Sequence, residues 1–192
     1  MWKRTKVFCL IVSVMIILSL FLSLPLSGEE GDKQDLALVY YDNLEELNPF
    51  YEDIIVEYES FVLIKADQNR LTSLEKLGYH IDYLHNRNNI HVKDWTFNIR
   101  NGEPEIPIDL KGSSFEKDEV GNYIVHFIGP IKAKWADSLK QKGAKVLDYI
   151  PNYAYKVRMT PKVRGSIERF EFVNWVGVYH PVYKIDNDIT PG

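Results

Sequence analysis

Cysteine is almost absent from this chain, because Cys9 is the only one among 192 residues. Cys9 lies inside an apolar N-terminal run, so everything after that run lacks a thiol. The later part of the chain therefore has no means of forming disulfide bonds, thiol nucleophiles or cysteine-based zinc sites. Most of the apolar run follows Cys9, which places this residue too early to be a lipid-attachment cysteine.

An excess of positive charge is also lacking. After residue 28 the chain has 20 Lys and Arg against 27 Asp and Glu, a formal net charge of −7. A mildly acidic module without a basic stripe is not expected to bind nucleic acid.

Motifs that would carry catalysis or hold a cofactor are missing as well. There is no G-x-S-x-G nucleophile elbow and no glycine-rich phosphate loop. His80, His85 and His91 are five and six residues apart, which does not match the usual spacing of zinc-binding histidines, and we interpret them as surface residues. His126 and His180 are single residues that we interpret as structural. We expect no enzymatic activity, no cofactor and no metal site.

The N-terminus has the layout of a secretory signal. Lys3, Arg4 and Lys6 precede an uncharged run, Val7–Leu26, and small residues follow up to Gly28. The run is also long enough to span a bilayer, so an uncleaved anchor with its basic end inside remains an alternative. We expect residues 1–28 to be a signal peptide or membrane anchor. The rest would be secreted or anchored to the outer face of the cell membrane, with membrane contact only through residues 7–26.

The second half of the chain predicts a ferredoxin-like βαββαβ unit over residues 120–185. Thr160 is expected to cap its second helix, with Pro161 at the first helical position, where a missing N–H costs nothing. Trp135, Leu139, Val146 and Val157 are predicted core residues. The predicted elements are strand Tyr123–Phe127, helix Lys132–Lys142, strands Lys145–Ile150 and Tyr153–Met159, a helix to about Phe170, and strand Val173–Tyr179.

A related, partial or divergent copy is predicted before it, over residues 36–97. The elements predicted there are strands Leu36–Tyr41 and Phe61–Lys65, helix Gln68–Leu77 capped by Asp67, and strands His80–Leu84 and Ile90–Lys93. Residues 43–59 are acidic and ambiguous. Leu74–Gly78 matches Leu139–Gly143, and Asp82–Leu84 matches Asp148–Ile150, which indicates two related copies. Residues 98–119 have linker composition. The predicted class is therefore α+β.

One stretch resembles a known family. Residues 122–185 resemble the N-terminal prodomain of fervidolysin-like subtilases, secreted serine proteases of peptidase family S8. Residues 57–97 match more weakly, as a second copy. The residues that carry the resemblance are Tyr123, Val125, Phe127, Gly129, Pro130, Trp135, Leu139, Gly143, Tyr149-Ile150-Pro151-Asn152, Val157, Trp175-Val176-Gly177 and Pro181.

The resemblance implies a non-catalytic module that helps a subtilisin-like protease domain to fold and inhibits it, in cis or in trans. The sheet of such a prodomain packs on the protease and its C-terminal tail enters the substrate cleft. Because Pro181 ends the last strand, we expect an extended, mobile tail from Val182, with Tyr183, Lys184, Ile185 and Asp186 as the protease-contacting candidates. The three protease motifs are absent. The chain is thus expected to be either a free-standing prodomain-like protein, with residues 186–192 as its tail, or the front of a longer protease. An extracellular surface-binding module without a protease partner is the alternative.

Overall fold

The structure is a computed structural model that describes residues 34–112 and 115–184. It is an α+β fold built from antiparallel sheets and helices, as the sequence predicts. The predicted signal peptide or anchor, residues 1–28, lies outside the described residues. Within the described ranges no helix is long and apolar enough to cross a membrane.

The C-terminal half forms a complete ferredoxin-like unit, called unit 2 here (residues 121–178). Its sheet has the order fourth, first, third, second strand, and every neighbouring pair is antiparallel. Both helices pack on one face of the sheet. The elements are β7 (Gly121–Phe127), α2 (Ala133–Gln141), β8 (Lys145–Ile150), β9 (Ala154–Met159), α3 (Pro161–Ile167) and β10 (Val173–Val178).

The N-terminal half, called unit 1 (residues 35–83), has the same strand order and direction. This copy has all four strands, so it is not partial. It differs in that a 3₁₀ segment, Leu44–Asp53, takes the place of the first helix. Pro49 lies inside this segment, where it has no N–H to contribute to an α-helical ladder. The other elements are β1 (Asp35–Tyr40), β2 (Ile54–Glu57), β3 (Phe61–Ala66), α1 (Gln68–Lys76) and β4 (Ile81–Tyr83).

The structure corrects the predicted match between the copies. Leu74–Gly78 ends the helix between the third and fourth strands of unit 1, whereas Leu139–Gly143 ends the helix between the first and second strands of unit 2. Gly78 and Gly143 both have φ of +94°, the left-handed conformation that glycine adopts after a helix. The similarity of the two segments therefore reflects the same way of ending a helix and not equivalent positions in the fold.

A β-hairpin connects the two units and belongs to the second of them by its packing. Strands β5 (Asn89–Val92) and β6 (Trp95–Asn98) pair with each other and with neither four-stranded sheet. Their apolar side chains pack on the helix-free face of the unit 2 sheet, against Ile124, Ile150 and Ala154. The sequence predicts the strand near Ile90 as part of the first copy, whereas the structure places it against the second.

The predicted core of unit 2 is confirmed at three of its four positions. Trp135 is 5% exposed, and Leu139 and Val157 are fully buried. Val146 is partly buried and packs against the same cluster. The Trp135 ring lies nearly parallel to the rings of Phe127 and Phe172, with centroids 5.9 and 5.2 Å away. The helical face of this unit is thus held by a stack of aromatic rings.

Candidate functional site

The C-terminal turn is the first place to look, because the sequence predicts a protease-contacting tail there. Residues Pro181–Lys184 form a 3₁₀ turn rather than an extended segment. Tyr183 is 1% exposed, and its ring stacks on Phe97 and meets the edge of Trp95. Burial raises the pKa of the Tyr183 hydroxyl. The structure therefore places the Tyr183 side chain inside the fold, whereas the sequence predicts it in a protease pocket.

The remaining tail candidates divide into two groups. Lys184 is exposed, and its carbonyl accepts a hydrogen bond of 2.8 Å from Nζ of Lys93 in the hairpin. Ile185 and Asp186 lie outside the described residues. Only Lys184 among the four candidates is thus both described and accessible.

The helix-free face of the unit 2 sheet is the second place, since the resemblance implies a sheet that packs on a protease. Here the hairpin and the C-terminal turn cover it. Phe97 meets Trp175 of β10 edge-on, with ring centroids 6.1 Å apart. The full set of buried residues in this layer is Ile90, Val92, Phe97, Ile99, Ile124, Ile150, Ala154, Val182 and Tyr183.

Packing explains the glycine in the Trp175-Val176-Gly177 strand of the resemblance. A Cβ atom on Gly177 would come within 2.0 Å of the Trp175 ring, which lies over that residue. Only glycine leaves room for the indole, which packs under the hairpin as part of the same layer. This part of the resemblance therefore marks the covered face of the sheet.

The YIPN turn of the resemblance reaches the segment that enters the hairpin. Asn152 and Tyr153 both have φ near +63°, and asparagine tolerates this conformation better than most residues. Nδ2 of Asn152 donates a hydrogen bond of 2.7 Å to the carbonyl of Asn89. The turn between β8 and β9 thus fixes the start of β5.

The predicted linker, residues 98–119, is tied to unit 2 by a buried histidine. His180 is 1% exposed, and its Nδ1 accepts a hydrogen bond of 3.0 Å from the N–H of Gly112. Its Nε2 lies 3.4 Å from Glu103, whose other carboxylate oxygen accepts from the N–H of Val178. Glu103 therefore covers part of the outer edge of β10, and the structural interpretation of His180 is supported by these contacts.

His126 forms a buried polar network at the junction of the two units. Its Nε2 donates to the carbonyl of Arg87 at 2.8 Å, and its Nδ1 accepts from Nδ2 of Asn174 at 3.1 Å. Arg87 in turn donates to the carbonyl of Ile128. Burial is the main cause that lowers the pKa of His126 to about 4, and the charge of Arg87 acts in the same direction. His126 is therefore neutral at pH 7 and holds the connecting residues in place.

The other histidines are exposed. His80, His85 and His91 lie on the surface, as the sequence predicts. In the part of the chain that the structure describes, no group of three or more His, Cys, Asp or Glu side chains is placed to hold a metal ion.

Two surface cavities lie on or beside unit 1. One, of about 550 Å³, lies between β2 and the start of α2, with Trp135 and Phe172 in its wall. The other, of about 500 Å³, lies beside the end of α1 and is lined by tyrosines and carboxylates. Neither was foreseen from the sequence, because each draws residues from segments far apart in the chain.

A family model described as "Domain of unknown function (DUF8729)" matches residues 85–180, half of the chain. The chain belongs to this family. No curated protein and no solved structure matches it. The DUF8729 region starts just after β4 and contains the hairpin, residues 99–120 and unit 2. It thus coincides with the part of the structure whose sheet is covered on both faces, and unit 1 lies outside it.

Proposed function

We propose that this chain is an exported, non-catalytic module that acts on a subtilisin-like serine protease as a folding assistant, an inhibitor or both. The observation that supports this proposal most is the strand order of unit 2. The residues that carry the resemblance to subtilase prodomains, from Tyr123 to Pro181, all fall on this ferredoxin-like sheet, its helices and its turns.

In this proposal the chain does not contact the protease through the helix-free face of the unit 2 sheet. The helix-free face is occupied by Phe97, Ile99 and Tyr183 of the same chain, so no apolar face is left there for a protease. In this proposal the folded units serve as the anchor. The chain beyond Lys184, beginning with Ile185 and Asp186, extends toward the substrate cleft. Linking two such contacts in one chain raises the effective concentration of the second.

The test compares two versions of the exported chain, residues 29–192 and residues 29–184, on a subtilisin-like protease from the same source. Because the truncation removes no described residue, both versions should have the same circular dichroism and the same unfolding midpoint. We expect the longer version to inhibit and the shorter one to lose at least about tenfold in affinity, as is usual when one of two linked contacts is removed. Equal inhibition would remove residues 185–192 from the mechanism.

Folding assistance is measured separately, by the rate at which the acid- or urea-unfolded protease domain regains activity with and without the chain. An increased rate supports the proposal even if inhibition is weak. Failure of both versions in both assays would contradict it.

A second candidate is an extracellular surface-binding module without a protease partner. The covered sheet face favours this candidate, since the surface that a prodomain offers to its protease is used inside the chain. It predicts no effect on protease activity or refolding, together with retention of residues 29–192 at the cell surface.

A further inference from the structure

The cavity at the end of α1, called the tyrosine cavity here, has an aromatic wall. Tyr40, Tyr41 and Tyr79 line it, and each is half-buried. The hydroxyls are used inside unit 1: that of Tyr41 donates to the carbonyl of Tyr58 at 2.7 Å, and that of Tyr40 donates to Asp82 at 3.0 Å. With the hydroxyl groups engaged, the rings form the apolar part of the lining.

The charged part of the lining is acidic. Asp42 and Glu46 contribute carboxylates, and no lysine or arginine belongs to the described lining. The one basic group is the imidazole of His80, which lies 3.3 Å from Asp82. Burial raises the pKa of the Tyr79 hydroxyl, and the charge of Glu46 and its hydrogen bond to that hydroxyl add to the rise, which places this carboxylate at the ring.

The position at the end of α1 adds to the negative potential. This helix ends at Lys76, and the next three residues, Leu77 to Tyr79, all line the tyrosine cavity. The C-terminal end of a helix has the negative end of the helix dipole and favours cations. Leu77 is 67% exposed at the rim, where its side chain is available for apolar contact.

The whole of unit 1 has the same sign of charge. Residues 34–84 contain eleven Asp and Glu against three Lys and Arg, a formal net charge of −8, whereas residues 85–184 have a net charge of +5. A charge separation of this size steers an oppositely charged partner toward one end of a molecule. The acidic end is the end that has the tyrosine cavity.

We infer that the tyrosine cavity binds the ammonium or guanidinium group of a lysine or arginine side chain on a partner protein. Aromatic faces attract such cations, and the carboxylates of Asp42 and Glu46 give the ion its counter-charge. The apolar stem of the side chain packs against the tyrosine rings and Leu77. This site lies outside the DUF8729 region and does not depend on the protease proposal.

The test is a titration of ¹⁵N-labelled residues 29–192 with the peptide acetyl-Gly-Arg-Gly-amide, followed by amide chemical shifts. The matched control peptide has citrulline in place of arginine, which keeps the shape and removes the charge. We expect saturable shifts at Asp42, Gly78 and Tyr79, with the citrulline peptide at least about fivefold weaker, in line with the usual strength of a cation–aromatic contact. Equal binding of the two peptides would overturn the inference.

Two exposed carboxylates provide matched variants. Glu46→Gln removes a charge inside the tyrosine cavity, and Glu52→Gln removes one from the same 3₁₀ segment outside it. We expect the first to weaken the arginine peptide at least about threefold and the second to leave it unchanged, since only the first acts at contact distance. An equal loss in both variants would mean a diffuse charge effect and would overturn the site. Tetramethylammonium provides the third arm: if it binds more tightly than the peptide, the source of the cation is a small molecule and the partner-protein inference is wrong.

Discussion

At the scale of single residues, His126 shows how burial turns a titratable group into a structural one. Its imidazole is fully buried, and its ring nitrogens bind the carbonyl of Arg87, between β4 and β5, and the side chain of Asn174 in β10. The network holds only while the ring is neutral, because a protonated Nδ1 would no longer accept from Asn174. The residue thus makes the junction of the two units dependent on pH.

We expect this dependence to appear in the free energy of unfolding. The pKa of His126 is about 4 in the folded chain, against an ordinary value of 6.5 when unfolded. Between these two values the unfolded state binds more protons, so stability falls as the pH is lowered through this window, by roughly 3 kcal/mol in total. Urea unfolding of residues 29–192 at pH 7, 5.5 and 4.5 measures it.

The control for this prediction is a pair of histidine variants. His126→Gln keeps a polar side chain that does not titrate and should flatten the pH dependence. His91→Gln changes an exposed histidine and should leave it as it is. The same pH dependence in both variants would show that other groups are responsible.

The residue scale also shows what the sequence can and cannot reveal. Thr160 and Pro161 were recognised as a helix start from their types and spacing alone, and the Thr160 hydroxyl does accept from the N–H of Val163. Tyr183 was misjudged, because its burial depends on Phe97 and Trp95, which are far away in the sequence. Local rules predict caps well, whereas burial of one aromatic ring is decided by tertiary contacts.

At the scale of elements, α2 packs on its sheet through two buried side chains, and the larger of them is the indole of Trp135. Trp135, Phe127 and Phe172 contact one another through nearly parallel rings, with centroids 5.2 to 6.2 Å apart. Leu139, one turn later, is the other buried residue of this helix.

We therefore expect Trp135→Ala to lower the free energy of unfolding by roughly 3–5 kcal/mol, since the cavity left in the ring stack cannot close. The measurement is urea unfolding followed by far-ultraviolet circular dichroism. Lys134→Ala, at the neighbouring exposed position, should change it by less than about 0.5 kcal/mol. A cost below about 1 kcal/mol for Trp135→Ala would mean that the indole is not part of the core.

The hairpin allows a second prediction at this scale. Because β5 and β6 cover the sheet of unit 2, residues 85–192 should fold as a cooperative unit without unit 1. Residues 115–192 lack the hairpin and would expose Ile124, Ile150 and Trp175 on the open face. We expect the shorter fragment to bind the dye ANS and to lose its near-ultraviolet circular dichroism, as loosely packed chains do. Equal stability of the two fragments would show that the hairpin is dispensable.

The elements also show where sequence reasoning ended. Of the ten strands and three α-helices in the described residues, the sequence predicts eleven close to their observed positions and misses β2 and β6. Strand β2 is four residues long and follows a 3₁₀ segment that contains proline. Neither the strand period of two nor the helix period of 3.6 residues therefore continues long enough to be detected. In strand β6, Trp95 and Phe97 face inward. Lys93 and Asp94 form the two-residue turn that pairs β6 with β5, but they are not one of the residue pairs that usually signal a hairpin.

At the scale of the whole molecule, the two units have the same topology and opposite charge. The tyrosine cavity and the excess of carboxylates belong to unit 1, and the family match belongs to the rest. This asymmetry could have been counted from the sequence. It has meaning only once the boundary near Leu84 is known, and the predicted boundary at residue 97 obscured it.

Export is the prediction that concerns the molecule as a whole. The basic residues before Val7 and the uncharged run after it should direct the chain across the membrane. Fractionation of expressing cells, with protease treatment of intact cells, should find the part after Gly28 outside the cytoplasm. A variant with Val14 and Leu18 changed to Arg, which interrupts the apolar run, should remain inside. A cytoplasmic product from the unchanged chain would contradict this expectation.

The hydrogen bond between Lys93 and Lys184 joins residues 91 positions apart. During synthesis the hairpin therefore forms well before the residues that cover it. A chain that crosses the membrane from its N-terminus delivers all four strands of unit 1 first, and these can pair at once. The hairpin follows, but the side chains that cover it arrive with β7, β8 and the final turn. Its apolar side stays open to solvent until Val182 and Tyr183 have emerged. In a refolding chain the same difference in sequence separation acts without any order of synthesis, so pulse-labelled hydrogen exchange should protect the amides of β1 and β3 before those of β5 and β6.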